Sequence, residues 1–115
     1  MSDNLSSSEI DTLVDQVIHG DHRALGILFH HHRQRLWRIV NFRLDQRLLG
    51  RVDADDVLQE SYLAAEKRLE HFLHDSPESF FIWLRLIVNQ TMIDVHRRHL
   101  GTQSRDASRE RQVSG

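Results

Sequence analysis

Ser76-Pro77-Glu78-Ser79-Phe80-Phe81-Ile82-Trp83-Leu84-Arg85-Leu86-Ile87-Val88-Asn89-Gln90-Thr91-Met92-Ile93-Asp94-Val95-His96-Arg97-Arg98-His99-Leu100-Gly101 is the stretch that decides the fold. It reads as one long helix. Ser76 is a good N-cap, and Pro77, the only proline, stands at the first helical position, where its missing N–H costs nothing. At the far end Arg97, Arg98 and His99 suit the negative end of the helix dipole, and Gly101 suits the left-handed closing position. Between these marks, Phe80 to Val88 is apolar on every side except at Arg85. A helix with a single buried stripe needs only about three apolar positions in seven, so this half is expected to be enclosed by other elements. From Asn89 onward the pattern turns amphipathic and its outer side turns basic. One helix thus plants its first half in a core and offers its second half to a partner.

Working outward, the preceding segment supplies the other walls. Asp53-Ala54-Asp55-Asp56 opens a third helix with Asp53 as N-cap and carboxylates at the positive end of the dipole. Leu58, Tyr62, Ala65, Leu69 and Phe72 follow along one face, and a loop from His71 to Asp75 leads into the long helix. Upstream, Asp21 caps a second helix expected over residues 22–49, with Gly50 as its terminator. Its buried stripe is Leu25, Leu28, Phe29, Leu36, Ile39 and Val40, with Trp37 on a flank. A short first helix, capped by Ser8 with Asp11 three residues on, carries Ile10, Leu13, Val14, Val17 and Ile18 and stops at Gly20. The expected fold is all-α: a compact bundle of one short and three longer helices over residues 8–101. A flexible N-terminus (1–7) and a polar linker or disordered tail (102–115) flank it.

Composition agrees. The 115 residues suffice for one domain with a real core, and five Gly and one Pro leave little punctuation for a many-stranded sheet. Absence of Cys removes disulfides and thiolate metal sites. No apolar run is long enough to insert in a membrane, and the start Met1-Ser2-Asp3-Asn4 is unlike a signal peptide, so a cytoplasmic protein is expected. His30, His31 and His32 are consecutive and so splayed by about 100° each around a helix, which prevents all three from holding one metal. His71/His74 and His96/His99 have a ligand-like spacing but no third ligand in register, so neither a metal nor any other cofactor is expected. No phosphate loop, nucleophile–base pair or paired inward carboxylates appear, and no enzyme activity is expected.

Net charge is only −2, yet it is segregated. Residues 1–21 hold five acids and no Lys or Arg; residues 22–51 hold seven Arg and one Asp. Residues 52–84 hold eight acids against Lys67 and Arg68, and residues 85–115 six Arg against three acids. Fourteen of the fifteen basic residues are Arg, which favours planar contacts with phosphate, base or carboxylate. Separate basic and acidic faces imply two kinds of partner, or helices that merely complement each other.

Asp53-Ala54-Asp55-Asp56-Val57-Leu58-Gln59-Glu60-Ser61-Tyr62-Leu63, then Phe80-Phe81-Ile82-Trp83-Leu84-Arg85 and Ile93-Asp94-Val95-His96-Arg97-Arg98, resemble region 2 of a bacterial RNA polymerase sigma factor of the extracytoplasmic-function group. Gly20-Asp21-His22-Arg23-Ala24-Leu25 with Leu28-Phe29 is similar to that family's early stretch. The resemblance implies a domain that binds core RNA polymerase and recognises and melts the promoter −10 element, without catalysis of its own. Asp55, Asp56, Gln59 and Glu60 would meet the clamp helices of the β′ subunit. Arg85, Arg97 and Arg98 would contact the non-template strand, Asn89 or Gln90 would read a base, and His74, Asp75 and Ser76 would form a pocket for a flipped one. Many members carry Asn seven residues after the Trp; here Gln90 stands there, with Asn89 just before it. An anti-sigma factor is a further implied partner. The helix-turn-helix domain that reads the −35 element in such factors has no counterpart before Gly115, so the sequence reads as a fragment or as an unusual short protein. The competing reading is a helical protein–protein adaptor or regulator without DNA binding.

Overall fold

In a computed structural model the described residues form four α-helices: α1 (Ser7–Ile18), α2 (His22–Arg43), α3 (Ala54–Lys67) and α4 (Pro77–His96). The structure describes residues 5–48, 50–72 and 77–101, with Pro77, Glu78 and Gly101 described in their backbone only. No strand occurs among the described residues. The helix cap expected at Ser76 and the expected pocket residues His74, Asp75 and Ser76 lie outside them. The all-α bundle of one short and three longer helices is the fold the pattern predicts.

Local signals set most of the helix starts. Asp21 accepts from the backbone N–H groups of Arg23 (2.9 Å) and Ala24 (3.1 Å). Asp53 and Asp56 cap each other's backbone N–H groups at 2.9 and 3.1 Å, the reciprocal box that removes two orphan donors. At α1 the cap is Ser6 with Glu9, two residues ahead of the expected Ser8 and Asp11. A glutamate reaches back to the cap N–H where the aspartate at position 11 does not. Gly20 ends α1 at a φ of 86°, a left-handed conformation that a β-carbon would disfavour.

The second helix is shorter than expected: it ends at Arg43, and a short 3₁₀ turn, Gln46–Leu48, follows. Leu44 takes extended angles, which turns the chain so that both Leu44 and Leu48 are buried. Asp45 holds the corner by accepting from the Arg47 backbone N–H (2.9 Å) and guanidinium (2.9 and 3.1 Å). An Asx-type turn thereby outcompetes helical continuation. The Asp45 backbone N–H in turn donates to His96 Nε2 of α4 at 3.3 Å. Gly50, at a φ of 90°, serves the turn beyond rather than terminating the helix.

The core runs between α2, α3 and α4, with α1 laid on α2. Leu25, Leu28, Leu36, Leu58, Phe80 and Leu84 are almost wholly inaccessible to water, each worth roughly 1.5–3 kcal/mol of burial. Phe80 meets Phe72 edge-on (5.5 Å between centroids), Trp83 (5.9 Å) and His32 of α2 (6.1 Å). Arg35 stacks its guanidinium 4.2 Å over Phe81. Gly26 lets α2 approach α3: an added β-carbon would stand 3.3 Å from the Tyr62 hydroxyl.

The expected enclosure of Phe80 to Val88 is corrected. Phe80, Phe81, Leu84, Ile87 and Val88 are buried, but Ile82 is 57% and Leu86 61% exposed. With only α3 packed extensively against it and α2 and α1 touching it more lightly, α4 keeps one apolar strip outside.

His32 is wedged against Phe80 and Phe81, and burial, with His31 and Arg35 nearby, pushes its imidazole down to about 4. The folded chain therefore prefers the neutral ring, and the unfolded chain takes the proton at an ordinary value near 6.5. Stability is full above that value and declines as pH falls toward 4. Thermal melting of His32→Leu should show a smaller drop between pH 7 and pH 5 than the native chain. An equal drop would place the titrating group elsewhere.

Candidate nucleic-acid interface and acidic face

The outer side of α4 combines the strip Ile82, Leu86 and Ile93 with exposed Arg85, Gln90 and Arg97. Arg85 and Arg97 make no ion pair among the described residues. Two troughs flank this ridge. One, of about 500 Å³, is lined by Arg68, His71, Trp83, Leu86, Ile87 and Gln90. The other, of about 390 Å³, is lined by Arg43, Asn89, Met92, Ile93 and His96. Consecutive residues diverge by about 100° on a helix. Asn89 and Gln90 consequently serve opposite troughs rather than competing for one place.

Their hydrogen bonds differ accordingly. The half-buried Asn89 accepts at Oδ1 from Arg43 Nη1 (3.1 Å), which pins it to the end of α2. Exposed Gln90 donates from Nε2 to Asp94 Oδ1 (3.1 Å), one turn further along α4, and its side chain lines the end of the Trp83 trough. Trp83, read from the sequence as core, is half-buried: its ring packs on Phe72 (5.1 Å) and Phe80, and its remaining edge lines the trough. Arg68 and His71, at the end of α3 and the turn after it, carry no signal in the sequence that would join them to α4. The packing of Phe72, just after that turn, on Phe80 and Trp83 of α4 puts them there.

At the end of α4 the helix widens into one π turn, Arg97–Gly101. Arg98 here donates from both Nη atoms to the Glu60 carboxylate of α3, at 2.9 and 3.0 Å. The hydrogen bonds and charge of Glu60 raise the already high pKa of the guanidinium further. The structure thus joins a residue expected on nucleic acid to one expected on polymerase.

On α3, Asp55, Asp56 and Gln59 are exposed and Glu60 is partly so. Asp56 is committed to the cap described above, and Asp55 is paired with Arg33 of α2. Gln59 lies beside that pair in a trough of about 220 Å³ whose other walls include Gly26, Phe29 and Tyr62. A further trough of about 520 Å³ lies on the far side of Arg33, lined by His30, Gln34 and Trp37 as well. Leu63, 47% exposed, extends the outer face one turn beyond Gln59. Arg33 is a member of this face that sequence reasoning missed; its partner lies 22 residues away, beyond the reach of any local pattern.

No helix among the described residues is long and apolar enough to cross a membrane. Comparison with known families matches residues 28–101 to sigma-70 region 2. No curated protein and no solved structure matches the chain. The family match spans more than half of the chain and covers α3, α4 and most of α2, the helices that build both faces: the chain belongs to the sigma-70 region 2 family.

Proposed function

We propose that this chain acts as the promoter-melting part of a sigma factor: it docks on core RNA polymerase and holds the non-template strand of the −10 element as the duplex opens. The observation that carries this reading is the outer side of α4. Exposed Arg85 and Arg97, the Gln90 amide and the edge of Trp83 share one side of a helix anchored by Phe80. Arginine on phosphate supplies affinity, while an amide beside an apolar trough supplies base discrimination. The Trp83 trough is large enough for an unstacked base, with Arg68 and His71 on its rim. The loop residues His74, Asp75 and Ser76 are proposed to complete that seat. Asp55, Asp56, Gln59 and Glu60 are proposed to meet the clamp helices of β′, steering association and setting register. The chain would work in the cytoplasm beside the polymerase, with no reaction of its own.

A second reading has an observation in its favour. The aliphatic strip Ile82, Leu86 and Ile93 suits a protein better than a phosphate backbone, so it is a candidate seat for an anti-sigma factor or for an adaptor's partner.

One experiment separates the two. In a holoenzyme supplied with a −35-reading domain, Arg85→Ala/Arg97→Ala should weaken promoter opening and lower the salt slope of binding by roughly 0.7 per lost single-strand phosphate contact. Gln90→Ala should instead change base preference with the slope unmoved. Normal opening by the double arginine variant would leave the adaptor reading in place.

A further inference from the structure

We propose that Phe42 of α2 is a stacking platform for an unpaired base, set in a second track for single-stranded DNA along the seam between α2 and α4. This inference rests on the reading above, in which the strand lies on the outer side of α4, and carries its path onto a helix which that reading leaves unused. Phe42 is 89% exposed, more than any other large apolar side chain among the described residues. A lone exposed apolar side chain means little by itself; the setting decides. Exposed Arg38 stands one turn before Phe42, and exposed Asn41 and Arg43 flank it. Residues 33–44 hold four Arg and no acid. Asp45, the next acid along the chain, is already bound by Arg47.

Helix geometry puts the ring beside α4. Seven residues make nearly two turns, so Phe42 shares the direction of Arg35, which reaches α4 by stacking over Phe81. Arg43, the residue after Phe42, donates to Asn89 of α4 and lines the trough of about 390 Å³ with it. These two contacts run α2 and α4 side by side in the same direction, with exposed Arg38 and Arg85 at the levels between them. A strand that crosses from α4 toward α2 therefore meets cations from both helices for its phosphates and one bare aromatic face for a base. Arginine beside an exposed ring is the chemistry of single-strand tracks. A protein partner would have to match these arginines with acids, and would accept an aliphatic side chain in place of the ring.

The full chain tests this at low salt with two dye-labelled probes: a 20-nucleotide mixed-sequence single-stranded DNA and an abasic strand of equal length. Phe42→Leu should weaken binding of the DNA about 5–10-fold, the lower part of the range for one base on one aromatic face, and leave the salt slope unmoved. Phe42→Trp should bind the DNA at least as tightly as the native chain. Neither change should alter binding of the abasic strand, which offers phosphates without rings. Arg38→Gln should weaken both strands and lower the salt slope by roughly 0.7. Melting temperatures should stay native, because the Phe42 ring lies almost wholly in water. If Phe42→Leu binds the DNA like the native chain while Arg85→Ala/Arg97→Ala weakens it, the platform is refuted and the α4 face stands. Equal weakening of DNA and abasic strand by Phe42→Leu refutes stacking in the same way. If Phe42→Leu spares the DNA but weakens binding to purified core RNA polymerase, the ring belongs to a protein contact. If Arg85→Ala/Arg97→Ala leaves DNA binding unchanged as well, the nucleic-acid reading falls and the platform with it.

Discussion

Phe80→Ala should destabilise the domain by ~3–5 kcal/mol, a large part of the total stability of a domain this size. Phe80 is wholly buried and packs its ring near those of Phe72, Trp83 and His32. Removing its ring leaves a cavity at the joint between α2 and α4 and lets Trp83 shift in the trough it lines. Its neighbour two positions on is the internal control. Ile82 is more than half exposed, so Ile82→Ala should cost under about 1 kcal/mol despite lying in the same apolar run. Urea unfolding of the two variants, compared at equal m-value, measures both costs. Equal midpoints would mean that α4 is enclosed on all sides after all, or that Phe80 is not at the joint.

The second large effect concerns assembly. Asp55→Arg/Gln59→Arg should weaken binding to core RNA polymerase by at least ~100-fold, or about 2.7 kcal/mol, while circular dichroism stays unchanged. These two positions are chosen for what they leave alone. Asp56 serves the α3 cap and Glu60 holds Arg98, so reversing either would confuse lost binding with a frayed helix or a freed arginine. Asp55 gives up only an exposed pair with Arg33, worth roughly 0.2–1 kcal/mol. The new arginine then stands against Arg33, so the face changes sign across both helices. Native-like binding of this variant would remove the acidic face from the polymerase interface.

The one-dimensional pattern determined what local chemistry controls. The caps at Asp21 and Asp53, the stop at Gly20 and the core stripes of α2 and α3 depend on residues within a turn or two of one another. Periodicity and hydrogen-bonding side chains encode those directly. The family resemblance was legible for the same reason, because it is carried by contiguous stretches within α3 and α4. The end of α2 was not legible. Leu44 breaks the helix to bury itself and Leu48, and the corner is held through Asp45 by His96, half the chain away. Which side of α4 stays outside was equally out of reach, because an all-round apolar sequence does not state how many neighbours will cover it. Three long-range pairs decide the character of the faces: Arg33 with Asp55, Arg43 with Asn89, and Arg98 with Glu60. Side-chain pairs between helices have no spacing rule in sequence. Only packing brings them within reach, and packing alone made Arg98 and Glu60 parts of one contact rather than of two separate surfaces.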